Sequence, residues 1–447
     1  MYFIYSIFLS IAFLALMPYF LYQAFSNQKY FSNFSERLGK LPESFRNTSH
    51  PTIWIHAVSV GETIAAQTLV KSLRERFPGH RLIFSTTTAT GQAVARSRIS
   101  EADAFCYFPF DWKFSVRKSL QKIRPSVVIL MESELWPNFL HECNKQKIPV
   151  IVTNGRVSDR SFKRSMKFAF WFRRMTANVT YFLMQSEADA HRISALGAKS
   201  ENVIVTGNIK YDIGGRIGVP PVPSSLAAEL GLHENPLIIA GSTTDGEEEI
   251  ILEAYLELKK IAGLENTRLM IAPRHPERFD KVAKLLDSAH LKFVRRSVLA
   301  HQVEALGNQN FTRLINDSIQ KSEVILLDSI GELASLYRFA AVVFVGGSLV
   351  PKGGHNILEP AFDGRPVIVG PSMENFREIT EEFKRHNAVV QLQNGTDSEL
   401  IVSLRDQLNE LLLNPERANL LGANASATVE ANRGATDKTV SVIANLI

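Results

Sequence analysis

Cysteine is almost absent from this chain of 447 residues. Cys106 and Cys143 have neither the number nor the spacing of a disulfide framework or a zinc site, and so point to a reducing compartment. No GxxxxGK[ST] loop occurs, no D-x-D pair, and no His/Cys cluster at metal-ligand spacing. Those gaps count against P-loop phosphoryl transfer and against sugar chemistry that depends on a divalent ion. There is no repeat of solenoid period and no low-complexity tract. No charged residue precedes Lys29. The absence of a positive n-region and of a small-residue cleavage site excludes a cleaved signal peptide.

Apolar residues make up 45% of the chain and charged residues 21%, ordinary values for a globular protein, and the length suits two or three domains. A formal charge of +5 fits an anionic partner without choosing among nucleic acid, lipid and nucleotide. Tyr2 to Phe25 is nearly all apolar. At about 1.5 Å per helical residue it is long enough for a hydrocarbon core of roughly 30 Å. The cations Lys29, Arg37, Lys40 and Arg46 follow it, which places the body of the protein on the cytoplasmic side of a single N-terminal anchor over residues 1–28. Pro18 and Gln23 interrupt the run, so a helix lying in the membrane interface is the alternative.

From Thr52 onward, short continuous apolar runs alternate with amphipathic segments. TIWIHAV, RLIFSTT, AFCYFPF, SVVILM, IPVIVT, YFLMQS and VIVTG read as a first set of strands. LIIAGS, RLMIAP, KFVRR, VILLD, AVVFVGG, PVIVGP and AVVQL read as a second. Unbroken apolar strands separated by helices predict parallel sheets covered on both faces. A Gly/Pro-rich stretch, Asp212 to Pro223, predicts a linker over 212–225 between domains at 29–211 and 226–447. In such α/β folds a ligand site forms beyond the carboxyl ends of the strands.

Candidate chemistry collects there. The stretch GGSLVPKGGHNILEP, Gly346 to Pro360, joins a strand to a helix predicted to begin near His355 to Ile357. Its glycines would let backbone N–H groups and the helix start approach a nucleotide or phosphosugar, with Glu359 available to sugar hydroxyls. The ordinary alternative is a glycine-capped turn. Glu62 opens a helix after a strand and is placed to act as a general base, or simply to serve the helix dipole. Glu132 and Glu134 lie two apart at a strand end, where paired carboxylates are unusual unless functional. Lys210 stands before the linker, and Arg274 follows a strand where its guanidinium can fork onto a phosphate or carboxylate. Ile330, Gly331 and Glu332 open another helix. Arg156 to Met175 interleaves seven cations with aromatic residues and predicts a helix that meets an anionic membrane surface in preference to nucleic acid.

HAVSVGE, MESELWPN, VTNGRVSDRS, TGNIKYD, APRHPER, IGEL and FVGGSLVPKGGHNILEP, in this order, closely resemble the 3-deoxy-D-manno-oct-2-ulosonic acid (Kdo) transferases. The resemblance covers nearly the whole chain. It implies a GT-B glycosyltransferase: two Rossmann-like, doubly wound domains facing a cleft, with the C-terminal helices Pro415 to Ile447 packing back. Glu62 matches the family's general base, and Glu132 and Lys210 match positions that stabilise the transition state. Pro273, Arg274, Ile330 to Glu332, and Asn356, Ile357, Leu358 and Glu359 match segments that hold CMP. The resemblance further implies CMP-Kdo as donor, the tetraacylated lipid A precursor as acceptor, inversion at the anomeric carbon, and no metal or other cofactor. It also implies the cytoplasmic face of a bacterial inner membrane. A UDP-sugar enzyme of the same fold, or a silent scaffold for lipid A precursors, are the competing readings.

Overall fold

The computed structural model describes residues 2–27, 34–46, 49–132, 134–213, 230, 232, 235–298 and 322–447. The chain divides into two compact units, 1–213 with 432–447, and 214–431. The expected linker lies outside the described residues from Gly214 onward. Asp212 is part of a one-turn helix, Lys210–Ile213. The last sixteen residues group with the first unit, not the second.

The first unit is built on seven parallel strands: β1 Thr52–Ala57, β2 Arg81–Thr86, β3 Ala104–Tyr107, β4 Pro125–Met131, β5 Val150–Gly155, β6 Tyr181–Met184 and β7 Val203–Val205. Their order is β3-β2-β1-β4-β5-β6-β7. Because side chains alternate across a strand, the apolar runs feed two cores. Trp54, Val128, Leu130 and Val152 bury on one face, and Ile53, Ile55, Val127, Ile129 and Ile151 on the other. The helix Val60–Arg76 covers the second face with Ala65, Ala66, Leu69, Val70 and Leu73. The C-terminal helix Ala435–Ala444 joins that core through Ala435, Val440 and Ile443.

The second unit repeats the plan with β8 Leu237–Thr243, β9 Arg268–Pro273, β10 Phe293–Arg295, β11 Val324–Leu326, β12 Val342–Val345, β13 Val367–Val369 and β14 Val390–Gln391. All its strands are parallel, in the order β10-β11-β9-β8-β12-β13-β14. Every strand read from the sequence is present. In each sheet the order reverses beside the first strand, between β1 and β4 and between β8 and β12. That reversal opens a crevice beyond the strand ends.

Two expectations change. Arg156 to Met175 is not one helix but two, Asp159–Met166 and Ala169–Thr176, with Phe168 capping the second. Among the described residues no helix is long and apolar enough to cross a membrane, so the spanning anchor is not supported. The helix Tyr2–Asn27 is seated on the first unit instead. Tyr2 stacks on His141 at 4.1 Å, Phe13 meets Trp112 edge-on at 4.8 Å, and Tyr5 lies beside the buried Asp111. Asn138 Nδ2 donates to Ser6 Oγ at 3.0 Å, and Trp112 Nε1 to Ser10 Oγ at 3.2 Å. Its other face leaves Phe3, Ile4, Ile7, Phe8, Ile11 and Leu14 exposed at helical spacing.

Candidate active site

In the first unit the register brings the expected residues to the crevice. β1 and β4 pair His56 with Leu130, so Val58 and Glu132 stand level just beyond the strand ends. His56 itself is structural: burial holds it neutral, its pKa lowered to about 3, and its ring stacks on Phe108 at 3.8 Å. Ser59 caps the helix Val60–Arg76 by accepting from Glu62 N. Glu62 returns the contact, accepting from Ser59 Oγ and from Val58 N at 2.8 Å each. It caps its own helix, and the same hydrogen bonds fix a carboxylate that is 8% exposed. An ionised carboxylate has about four lone-pair sites, so capping leaves acceptor capacity for an incoming hydroxyl.

Glu132 adopts a left-handed backbone (φ 55°), an unusual conformation for a non-glycine residue. Its N–H donates to Thr153 O at 2.8 Å, which holds the turn against β5. Lys210 Nζ lies 4.0 Å from Glu132 Oε1, with both side chains partly exposed. The backbone leading to Lys210 is clamped: Asn154, left-handed and buried, accepts from Ile209 N, and Asn208 Oδ1 accepts from Lys210 N, each at 3.0 Å. Glu134 completes the cluster. Its pKa is raised to about 7 by burial first, then by the charges of Glu62 and Glu132. Burial and the two neighbouring carboxylates thus favour the protonated form of Glu134.

In the second unit Arg274 follows β9 directly, its N–H donating to Thr243 O at 2.9 Å. Pro273 ends that strand. Tyr337 is fully buried, its hydroxyl pKa raised by burial and then by the charge of Glu359. His355 is held neutral, its pKa lowered to about 4 by burial, then by Arg274 and His275. Asn356 donates to Glu359 Oε1 at 3.1 Å and accepts from Leu358 N at 3.1 Å, which orients the carboxylate. Ile357 and Leu358 are buried, so their backbone alone is available to a ligand. Gly331 (φ 93°) turns the chain between Ile330, 73% exposed, and Glu332, which accepts from Arg296 Nη2 at 2.9 Å.

The glycine loop does not match its expectation. The helix after it is only five residues, Leu358–Phe362, and starts later than predicted, with Ile357 as N-cap. The loop's first amides are already taken. Glu247, fully buried, accepts from Gly347 N (2.7 Å), Ser348 N (2.9 Å) and Leu349 N (2.8 Å), and from Thr244 N (2.8 Å) and Oγ1 (2.9 Å). An internal carboxylate fills the nest that a phosphate was expected to fill. Gly346 is required here, because a Cβ would strike the backbone of Ser242 and Thr243. The amides of Gly347, Ser348 and Leu349 are therefore satisfied within the protein and not open to a ligand. Sequence reading missed Glu247, because it opens a GEEEI run that looks like a solvated helix start.

Comparison with known proteins shows the family. Residues 32–213 match the family model for 3-deoxy-D-manno-octulosonic-acid transferase (kdotransferase). A 3-deoxy-D-manno-octulosonic acid transferase of Haemophilus influenzae is 34% identical over 413 residues, covering 92% of this chain and 91% of that one. One from Bordetella pertussis is 30% identical over 402 residues, covering 88% and 86%. The crystal structure of UDP-GlcNAc 2-epimerase from Neisseria meningitidis bound to UDP-GlcNAc shares the fold at a TM-score of 0.55. It is 14% identical and is covered over 88% of this chain and 100% of that one. The chain belongs to the family of 3-deoxy-D-manno-octulosonic acid (Kdo) transferases and is a glycosyltransferase.

Proposed function

We propose that this enzyme transfers Kdo from CMP-Kdo to the tetraacylated disaccharide precursor of lipid A in lipopolysaccharide synthesis. Transfer inverts the anomeric carbon and requires no metal, within a GT-B architecture. The observation that carries the reading is the cluster of Glu62, Glu132, Glu134 and Lys210 at the strand-order reversal of the first sheet.

In the proposed step an acceptor hydroxyl oxygen attacks the anomeric carbon of Kdo. Glu62 removes the hydroxyl proton as the new C–O bond forms. The bond from that carbon to the phosphate oxygen of CMP breaks, and its electron pair leaves with CMP. Lys210 stabilises developing negative charge, held in place by Glu132. Arg274 stabilises the leaving phosphate through charge-assisted hydrogen bonds. One phosphate with a dedicated guanidinium needs no divalent ion, so EDTA should leave turnover unchanged. Attack opposite the departing group in a single displacement gives inversion.

The acceptor is a bisphosphorylated lipid, and a membrane-facing surface supports it. The exposed stripe Phe3, Ile4, Ile7, Phe8, Ile11 and Leu14 belongs to a helix that is tied to the basic segment: Tyr2 Oη donates to Arg174 O at 3.3 Å. In that segment Met166, Phe168 and Phe170 are exposed beside Lys163, Arg164, Lys167, Arg173 and Arg174. Apolar side chains beside cations fit a surface that lies on an anionic bilayer at the cytoplasmic face of the inner membrane. Donor choice is tested by thermal unfolding with nucleotides. CMP is expected to raise the melting temperature by binding the folded state, and UDP is not. Stabilisation by UDP alone would favour a UDP-sugar enzyme.

A further inference from the structure

Lys210 and Asp212 share the single turn Lys210–Ile213, and Asp212 reaches to the other end of the chain. Its carboxylate accepts from Gly434 N at 2.8 Å and from Thr436 N at 2.7 Å, 222 and 224 residues away. Those amides open the C-terminal helix Ala435–Ala444, whose own N-cap, Gly434, has no side chain to offer. An acidic side chain there also suits the positive end of the helix. The same helix packs Ala435, Val440 and Ile443 into one core with Ile209 and with the helix that carries Glu62. Gly207 (φ 97°) brings the turn against Ala435, 3.4 Å from where a Cβ would stand.

We infer that Asp212 is a positioning residue that acts through Lys210, so that residues 432–447 help to place the lysine of the reaction. The inference rests on the proposed role of Lys210. Lys210 Nζ stands 4.0 Å from Glu132 Oε1, the outer limit of an ion pair, so a small rotation of its turn separates the two. Among the ties on that turn, Asn154 accepts from Ile209 N, Asn208 from Lys210 N, and Asp212 reaches the C-terminal helix. The first two fix the backbone before Lys210. Asp212 ties the backbone after it to the C-terminal helix. An ordinary helix cap would contribute to stability and leave turnover of the folded enzyme unchanged. A positioning residue changes turnover, and only while Lys210 is present.

A double-mutant cycle on the full chain separates these cases, because coupled residues depart from additivity. The readouts are kcat for Kdo transfer and the melting temperature. Lys210→Ala is expected to lower kcat deeply. Asp212→Ala is expected to lower kcat by about 10- to 100-fold, the scale of an ångström-sized misplacement. In the Lys210→Ala background Asp212→Ala should cost nothing further in kcat. Asp212→Glu keeps the carboxylate and should retain more activity than Asp212→Ala, and it replaces it in the cycle if the alanine variant does not fold. A lower melting temperature with wild-type kcat in the Asp212 variants would reduce Asp212 to a cap and overturn the inference. So would additive losses in the double variant. Near-normal kcat in Lys210→Ala would remove the catalytic reading of Lys210 itself, and the inference with it.

Discussion

The carboxylate of Glu247 accepts the N–H of Gly347 at 2.7 Å, so the glycine loop closes on the protein's own side chain. The opening of the loop is held by one buried carboxylate. Removing one partner from such a network leaves several buried N–H groups unsatisfied. Glu247→Ala is expected to destabilise the second unit by about 3–5 kcal/mol. It should also weaken CMP binding through disorder of the loop. Thermal unfolding with and without CMP checks both. A melting temperature within a degree of wild type would show that the nest tolerates an empty centre.

Glu62→Gln keeps shape and hydrogen bonding and removes the proton acceptor. Turnover should fall by about 10² to 10⁴, the usual worth of a general base, while CMP affinity stays unchanged. Arg274→Ala should do the reverse, weakening CMP because a charge-assisted contact is lost. Steady-state kinetics and calorimetric titration separate the two. If Glu132→Gln shows the deep defect and Glu62→Gln the mild one, the base is Glu132.

Glu134 sets a pH dependence whose sign follows from its shift. Its folded pKa of about 7 lies above the ordinary 4.5, so the folded state binds its proton more tightly than the unfolded chain. Its contribution to stability is complete below about pH 4.5 and is lost as pH rises through about 7. The charges that face it are Glu62 and Glu132, with Lys210 opposite Glu132. Glu134→Gln should therefore flatten the fall in melting temperature between pH 5 and pH 8. An unchanged pH profile in the variant would place the titration elsewhere.

The strands were readable from the chain alone because parallel, doubly covered strands must be apolar without interruption, as VVILM and VVFV are. The positions of Glu62, Glu132 and Arg274 followed, since each stands just beyond a strand. Long-range partners were not readable. Glu247 finds amides about a hundred residues away, and Asp212 caps a helix 222 residues on. Spacing along the chain carries no trace of either. The seating of the N-terminal helix left one overlooked signal. Tyr2, Ser6 and Ser10 recur every fourth residue within the apolar run, a polar stripe that meets Asn178, Asn138 and Trp112.

That stripe bears on the membrane prediction. A separable anchor would leave the first unit unaffected by its removal. A seated helix predicts that deleting residues 2–27 lowers the melting temperature while CMP binding persists. Replacing Phe3 and Phe8 by Ser should weaken binding to anionic vesicles without that loss of stability, because both are exposed. Replacing Lys163, Arg164, Lys167, Arg173 and Arg174 by Gln should weaken it further and abolish its salt dependence. Co-sedimentation at two salt concentrations measures this. Unchanged, salt-independent binding would assign the surface a purely structural role.

The most direct test of the account is transfer itself. Purified full-length protein is incubated with CMP-Kdo and tetraacylated lipid A precursor, with EDTA present, and the lipid products are read by mass. The expected product is lipid heavier by one or more Kdo units, formed at the same rate with and without EDTA, and about 10²- to 10⁴-fold more slowly in Glu62→Gln. Unmodified lipid from folded, CMP-binding enzyme, or equal product from Glu62→Gln, would contradict the account.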